Sequence, residues 1–210
     1  MKRLIVSVMM LLSLAACGAE PVWAPDEDVA RAAYSSNEPP SVTLYTVIST
    51  STGAGGHSAL LINGKERVMF DPAGTWYHPA VPERNDVHYG ITDRMRAFYI
   101  DYHARERYFV REQTLPISLE LAEELRARVE AHGAVPKAFC ANSIASVLRG
   151  EPGFENVPAT MSPVRMSKYF DRLAGVTAKD NYDGDPANYS GVMMVYPEDT
   201  EPVREASNQD

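Results

Sequence analysis

The thiol of Cys140 is the strongest nucleophile candidate in this sequence. It lies in the stretch AFCANSIASVLRG, and a thiol acts as a nucleophile when its pKa is lowered and a base lies within reach. Pro136 cannot continue the preceding helix, so a new helix is predicted to begin near Cys140. The partial positive charge of a helix N-terminus favours a thiolate, and its free N–H groups can form an oxyanion hole. Lys137 adds to this positive field if it points inward.

A structural role explains Cys140 as well. Free cysteine is among the most buried residue types, and Cys140, Ile144 and Leu148 share one face of the predicted helix. An active-site cysteine on a helix that packs against a sheet also faces inward. Periodicity therefore leaves both interpretations open.

His57 is the best candidate for the base among five histidines. It opens the apolar run HSALLI directly after TGAGG, and a rigid strand would fix the imidazole as a general base requires. Glycines such as Gly56 leave room for a substrate beside the ring. A hydrogen-bonded histidine at a strand edge is the other interpretation. The remaining four lie in charged runs, where exposure is expected (His103, His132), or in a long loop (His78, His88).

Asp71 is the candidate for the group that orients the imidazole. The apolar runs HSALLI and KERVMF flank NGK, which is a hairpin turn signal, and residues 57 and 71 are equidistant from Gly64. Antiparallel pairing therefore predicts that Asp71 lies near His57. Alternatively, Asp71 begins an Asp-Pro turn and bonds its own backbone.

Other kinds of site find less support. Trp76 and Tyr77 follow the hairpin and are candidates for lining a substrate groove, although exposed loop aromatics are common. The TGAGG stretch lacks the Lys-Ser/Thr of a phosphate loop, and His78 and His88 show no metal-ligand spacing. No metal or organic cofactor is predicted.

The predicted strands and helices are mixed without a regular alternation. Strands are expected in SVTLYTVIST, in the two hairpin runs, in RYFVREQTLPI and in GVMMVYP. Helices are expected at 92–106, 118–133, 140–150 and 162–175, with Thr92, Ser118 and Ser162 as N-caps. The stretch 71–90 is too rich in proline and glycine for regular structure. This pattern favours an α+β fold in which helices pack on an antiparallel sheet.

The N-terminus is typical of an exported lipoprotein. Lys2 and Arg3 precede an apolar run that ends in Leu14-Ala15-Ala16-Cys17, as a secretory signal does. The stretch resembles the lipobox of bacterial lipoproteins, which implies cleavage before Cys17 and its lipidation. An ordinary signal peptide with a chance cysteine is the alternative. Gly18 offers no retention aspartate, so the outer membrane is favoured over the inner one.

The remaining chain has the size and charge of one acidic domain. Loss of residues 1–16 removes two positive charges, so the net charge falls from -8 to -10. Nucleic acid is therefore not an expected partner. We predict a signal peptide over 1–16, a lipidated tether over 17–40, one domain over 41–196 and a flexible tail over 197–210.

The order of these motifs resembles a known family. GHSALLINGKERVMFDPAG followed by FCANSIASVLRG is similar to the circularly permuted branch of the NlpC-type papain-like superfamily, which includes YaeF-like and lecithin:retinol acyltransferase-like groups. In this branch the histidine strand precedes the cysteine helix. The resemblance covers roughly 42–175 and implies Cys140 as nucleophile, His57 as base and Asp71 as orienting residue. Phe139 departs from the asparagine that often precedes the cysteine.

Two functions follow as expectations. The first is a lipoprotein on the periplasmic side of the cell envelope, with a Cys-His-Asp hydrolase or acyltransferase site acting on amides or esters. Peptidoglycan peptides or acyl lipids are the expected substrates. The second is a non-catalytic envelope lipoprotein that uses the same fold as a binding or scaffold module.

Overall fold

Residues 18–187 of the chain are described by a computed structural model. They form an α+β domain with a seven-stranded antiparallel sheet and five helices, so the expected fold class is confirmed. The strands are β1 (Ser41–Ser49), β2 (Gly55–Asn63), β3 (Arg67–Phe70), β4 (Glu83–Arg84), β5 (Val87–Tyr89), β6 (Tyr108–Pro116) and β7 (Thr177–Asn181). The helices are α1 (Asp26–Ala32), α2 (Asp93–His103), α3 (Leu119–His132), α4 (Cys140–Leu148) and α5 (Pro163–Phe170).

The sheet has the order β4-β5-β3-β2-β1-β6-β7, and both faces of its centre are covered. On one face, Leu60 and Phe70 pack with residues of α3, α4 and α5. On the other face, Leu61 and Met69 pack with α2 and with Trp76. Because both faces are buried, β1 is apolar or β-branched along its length and does not alternate with polar residues.

The predicted helices form where their capping residues lie. The side chains of Thr92, Ser118 and Ser162 each accept a hydrogen bond from a backbone N–H of the first turn. Gly133 ends α3 with φ of 81°, in the left-handed region that glycine tolerates. The last of these helices ends at Phe170, before the predicted stop at Gly175, and the intervening residues form turns.

The prediction that 71–90 lacks regular structure was wrong. This stretch contains the short hairpin β4–β5, joined by Asn85 and Asp86 with φ of 46° and 67°. Positive φ at both central residues suits a tight hairpin turn, and Asn and Asp tolerate it better than other side chains. The polar edge strand β7 was not predicted either, because its residues are mostly exposed and show no apolar pattern.

The segment before β1 lies against the sheet. Ala24 donates a backbone hydrogen bond to Glu83, and Asn85 donates one to Val22, so this part of the chain runs beside β4. Buried Arg67 donates hydrogen bonds to Ser36 and Glu38, and these bonds fix the part of the segment that leads into β1. Much of the described part of the predicted tether is therefore in contact with the domain.

Several sequence predictions fall outside the described residues. These are the signal peptide over 1–16, the lipidation of Cys17, the strand GVMMVYP and the tail over 197–210. Within residues 18–187, no helix has both the length and the apolar character that are needed to cross a bilayer.

Candidate active site

Cys140 is the first residue of α4, as the sequence predicted. Phe139 occupies the N-cap position and offers no side-chain hydrogen bond, so the N–H groups of the first turn are not capped by a side chain. One of them, from Ala141, donates to the Cys140 sulfur. The helix therefore directs its positive end at the thiol.

The second backbone donor to the sulfur comes from β2. The Ser58 N–H also donates to Cys140. Strand β3 pairs with β2 only as far as Phe70, which lies opposite Leu60. Beyond that point the edge of β2 has no strand partner, and the start of α4 fills the space. The short length of β3 thus leaves a strand N–H free to hold the sulfur.

His57 links the thiol to a carboxylate. Its Nε2 lies 2.6 Å from Asp71 Oδ1, and its imidazole is near enough to the Cys140 thiol for each group to shift the pKa of the other. Because Nε2 is engaged by Asp71, Nδ1 is the ring nitrogen that remains for the thiol. The predicted proximity of Asp71 to His57 is confirmed.

The hairpin brings these residues together in a slightly different register from the expected one. The pairing of Leu60 with Phe70 and of Asn63 with Arg67 centres the hairpin on Lys65 rather than on Gly64. Continuing this register would put Asp71 opposite Ala59, so its side chain reaches His57 as a diagonal neighbour on the same face. The loop contains three residues, 64–66.

Asp71 is buried and heads a turn in which its backbone oxygen accepts a hydrogen bond from Gly74 N, while its carboxylate bonds other side chains. Its Oδ1 also accepts a hydrogen bond of 2.8 Å from the Tyr99 hydroxyl on α2. Gly74 lies against the other oxygen, and a Cβ there would come within 1.9 Å of Oδ2. Gly74 is therefore required by the position of the carboxylate, and Tyr99 is the second side-chain partner of the carboxylate.

Electrostatics favour an ionised pair in this site. Burial disfavours a charged imidazole, but the charge and hydrogen bond of Asp71, together with Cys140, outweigh it and raise the pKa of His57 to about 10. Burial would also raise the pKa of the Cys140 thiol, yet His57 and the two backbone N–H groups lower it overall. His57 in turn holds the pKa of Asp71 well below its usual range despite burial.

The other histidines correct the sequence interpretation. His103 was predicted to be exposed, but it is buried and stacks on His57 with ring centroids 5.8 Å apart. His88 lies in β5 and is also buried, against Trp76. Burial lowers the pKa of both to about 4. His132 is exposed, as predicted.

One cavity is lined by His57, and a second lies beside it; Cys140 and Asp71 line neither of these two cavities. One, of about 310 Å³, is lined by His57, Gly56 and His103 together with Val47, Tyr102, Tyr108 and residues 73–75. The smaller, of about 190 Å³, is lined by residues 73–77 and by residues of the N-terminal segment and of the stretch before α4. Residues 73–75 form the wall between them.

The three residues predicted to line a substrate groove differ in their exposure at these cavities. Gly56 is exposed beside His57. Its neighbour Gly55 serves packing, since a Cβ there would come within 2.7 Å of Pro163. Tyr77 is exposed at the smaller cavity, whereas Trp76 is 2% exposed and belongs to the core.

Lys137 does not point toward the thiol. Its side chain is largely exposed and lies 3.9 Å from Glu20. The positive field at Cys140 therefore comes from the helix start and His57.

Among the described residues, one group of carboxylates is close enough to share an ion, formed by Asp101, Asp183 and Asp185. Arg105 pairs with Asp101 and Asp185 there.

Asp86 connects the segment that carries Asp71 to the one that precedes Cys140. Its two carboxylate oxygens accept hydrogen bonds from Ala73 N at 3.3 Å and from Val135 N at 2.6 Å. Its backbone oxygen accepts one from Asp71 N at 2.8 Å. Asp86 therefore fixes both the segment that carries Asp71 and the segment that precedes Cys140.

Replacing Asp86 with alanine should destabilise the fold. The change leaves two N–H groups without acceptors, which costs about 1–3 kcal/mol, and places alanine at a positive φ. Urea unfolding should show a lower free energy of unfolding. Asp86→Asn keeps an oxygen acceptor and tolerates the backbone conformation, so its loss should be smaller. Equal losses in the two variants would contradict the role given to the carboxylate.

Neither models of known protein families nor curated proteins match this sequence, and no solved structure matches its fold. The function is therefore inferred from the chemistry of the site itself.

Proposed function

We propose that the chain is a cysteine hydrolase or acyltransferase in which Cys140, His57 and Asp71 form the catalytic triad. The observation that carries the proposal is the position of one imidazole between a carboxylate at 2.6 Å and the thiol at the start of α4. A nucleophile, a base and an orienting acid in hydrogen-bonded series are the arrangement that covalent acyl transfer uses.

The reaction follows from the roles of the three groups. The Cys140 thiolate attacks the carbonyl carbon of an ester or amide, and the carbonyl electrons move to oxygen beside the first-turn N–H groups of α4. When this intermediate collapses, the bond to the leaving oxygen or nitrogen breaks, and His57 gives its proton to that atom. Water, deprotonated by His57, then hydrolyses the thioester and restores the thiolate. An alcohol or amine in place of water gives transfer.

The fold and the N-terminus extend this proposal. The order of a histidine strand before a cysteine helix, on an antiparallel sheet with packed helices, agrees with a circularly permuted papain-like domain of the NlpC type. We further propose that Cys17 carries a lipid anchor and that the domain lies on the periplasmic side of the envelope, at the outer membrane. Peptidoglycan peptides and acyl lipids both contain bonds of the required kind.

The burial of Cys140 supports the alternative of a non-catalytic module. The residue is only 5% exposed, and a thiol with no task in an exported protein is expected to be buried. The two possibilities differ in the ionisation of the thiol. A structural cysteine has no need of a lowered pKa, whereas a nucleophile does.

The pH dependence of alkylation distinguishes them. We expect the midpoint of the pH dependence with which iodoacetamide alkylates Cys140 in native protein, followed by peptide mapping, to lie below that of an ordinary thiol, because the pKa of Cys140 is lowered. An ordinary thiol has its midpoint near pH 8.5. Mixing with an activated ester should also give a burst of one product per Cys140, absent in Cys140→Ala. A midpoint near 8.5 and no burst would favour the non-catalytic module.

A further inference from the structure

The N-terminal segment reaches the wall of the candidate active site. Gly18, Glu20 and Val22 line the smaller cavity together with residues 73–75. The same residues 73–75 line the larger cavity with His57. The segment is held there by backbone hydrogen bonds beside β4 and by Arg84, whose guanidinium lies over the Trp23 ring at 4.7 Å.

Several exposed large apolar side chains lie at these two cavities or next in sequence to the site. Of eight such side chains in residues 18–187, three line the cavities and two are sequence neighbours of Val22 and Cys140; these five form what we call the apolar rim. Val22 and Tyr77 line the smaller cavity, and Tyr108 lines the larger one. Trp23 adjoins Val22 along the chain, and Phe139 directly precedes Cys140. The rim therefore consists of Val22, Trp23, Tyr77, Tyr108 and Phe139.

The composition of the rim fits a lipid surface. Trp and Tyr combine a large apolar ring with one polar group, and they are favoured at the boundary between a bilayer and water. Trp23 is 65% exposed although its ring is fixed against Arg84. Exposed apolar side chains that cluster at one opening mark an interaction site rather than ordinary surface.

The sequence places a membrane attachment at the same point. Gly18, in the cavity wall, directly follows Cys17, which carries the resemblance to a lipobox. A lipid on Cys17 would join the chain one residue from the lining of the smaller cavity and five residues before Val22 of the rim, and its acyl chains would enter the bilayer there. We propose that the apolar rim docks on the membrane surface, so that the catalytic site opens onto the bilayer and takes acyl esters or amides of membrane lipids.

This surface needs no positive charge. The chain is acidic, and the cation at the smaller cavity, Lys137, lies near Glu20. Docking through apolar burial and acyl chains is independent of anionic lipid, unlike docking through a basic patch. The identity of the reacting bond rests on the proposed function, whereas the docking itself does not.

Tryptophan fluorescence can test the docking directly. The sequence has two tryptophans, and Trp76 is buried, so Trp76→Phe leaves Trp23 as the reporter on the rim. The lipidated full-length protein is reconstituted in vesicles of phosphatidylethanolamine and phosphatidylglycerol. We expect lipids with brominated acyl chains to quench Trp23, and aqueous iodide to quench it less than in detergent. Vesicles without phosphatidylglycerol should give the same result.

A matched control lies at the opposite end of the sheet. Leu119 is exposed and follows β6 beyond Pro116, which pairs with Ser41, whereas His57 pairs with Val47 near the other end of β1. Leu119→Trp, combined with Trp23→Phe and Trp76→Phe, should be quenched by iodide and not by brominated lipid. Quenching of Trp23 by iodide alone would overturn the proposal. So would lipid quenching at both positions, shielding of Trp23 from both quenchers, or a need for phosphatidylglycerol.

Turnover separates this proposal from the proposed function. Trp23→Ala should lower the ratio of activity on a vesicle-borne ester to activity on a water-soluble ester by about tenfold, because one large buried side chain is lost from the docked state. An unchanged ratio would contradict docking while leaving the hydrolase intact. A different result would be that neither the wild type nor any variant turns over an ester, while brominated lipid still quenches Trp23. In that case the proposed catalytic function is wrong and the proposed membrane docking is supported.

Discussion

Replacing His57 with glutamine should return the Cys140 thiol to ordinary acidity. Glutamine is close in size but carries no charge, so the main influence that lowers the pKa of the thiol is lost. We expect the midpoint of the alkylation rate to move toward a pH of about 8.5. Turnover of an activated ester should fall by about 10²–10⁴-fold, because the general base and acid is gone.

A second histidine variant controls for this change. His132→Gln alters an exposed side chain that bonds Ser146 and packs against Phe70, and that is not among the hydrogen-bond partners of His57 or Asp71. It should keep the lowered midpoint of the alkylation rate and full turnover. If His57→Gln and His132→Gln behave alike, the imidazole of His57 does not ionise the thiol, and the catalytic proposal is wrong.

Replacing Asp71 with asparagine should lower turnover about as much as His57→Gln does, because Asp71 acts on the thiol through His57. The carboxylate charge opposes the effect of burial on His57 and raises its pKa. Without that charge, burial favours the neutral imidazole, and the thiolate loses its partner. The equivalent change in a Ser-His-Asp triad lowers kcat by about 10⁴-fold, and we expect a loss of that order in kcat for an activated ester.

Tyr99→Phe is the matched control for Asp71→Asn. It removes the other donor to Oδ1 and leaves the charge in place. One hydrogen bond is worth about 0.5–1.5 kcal/mol, so the loss in kcat should be about tenfold or less. Losses of equal size in the two variants would show that positioning, and not charge, is the contribution of Asp71.

The pH dependence of stability gives an independent check on Asp71. Its pKa is lowered in the folded chain, so its contribution to the free energy of unfolding is complete above the unfolded value, about 3.9, and is lost as the pH falls through the folded value. The difference in stability between wild type and Asp71→Asn should therefore shrink as the pH is lowered below about 4.

The sequence predicted the central part of the fold because its local signals are strong. Capping residues marked the starts of α2, α3 and α5, and Pro136 marked the start of α4 near Cys140. The short strands β4 and β5 and the polar edge strand β7 escaped prediction. Strands β4 and β7 are not buried, and β5, although buried, has only three residues. The Asn85-Asp86 turn that joins β4 and β5 lies within a loop rich in proline and glycine.

The candidate site was likewise predicted only in part from the sequence. The hairpin signal was enough to place Asp71 near His57, although the true register differs by two positions. The partners Tyr99 and His103 could not be found, because both reach the site from α2 through packing between elements. The Ser58 N–H was missed because its role depends on where the pairing of β3 with β2 ends. His103 is the clearest example. Its neighbours in sequence are charged, yet the helix turns its ring inward onto His57.

The three members of the triad come from very unequal distances along the chain. His57 and Asp71 belong to one hairpin, whose closure involves a short loop and little entropic cost. Cys140 lies on a helix that is separated from this hairpin by two helices and three strands. The lowered pKa of the thiol depends on contacts that exist only in the folded domain. In an unfolded chain Cys140 has ordinary acidity, is mostly protonated at neutral pH and reacts slowly with disulfides. The reactivity of the thiol therefore reports that the native structure is complete.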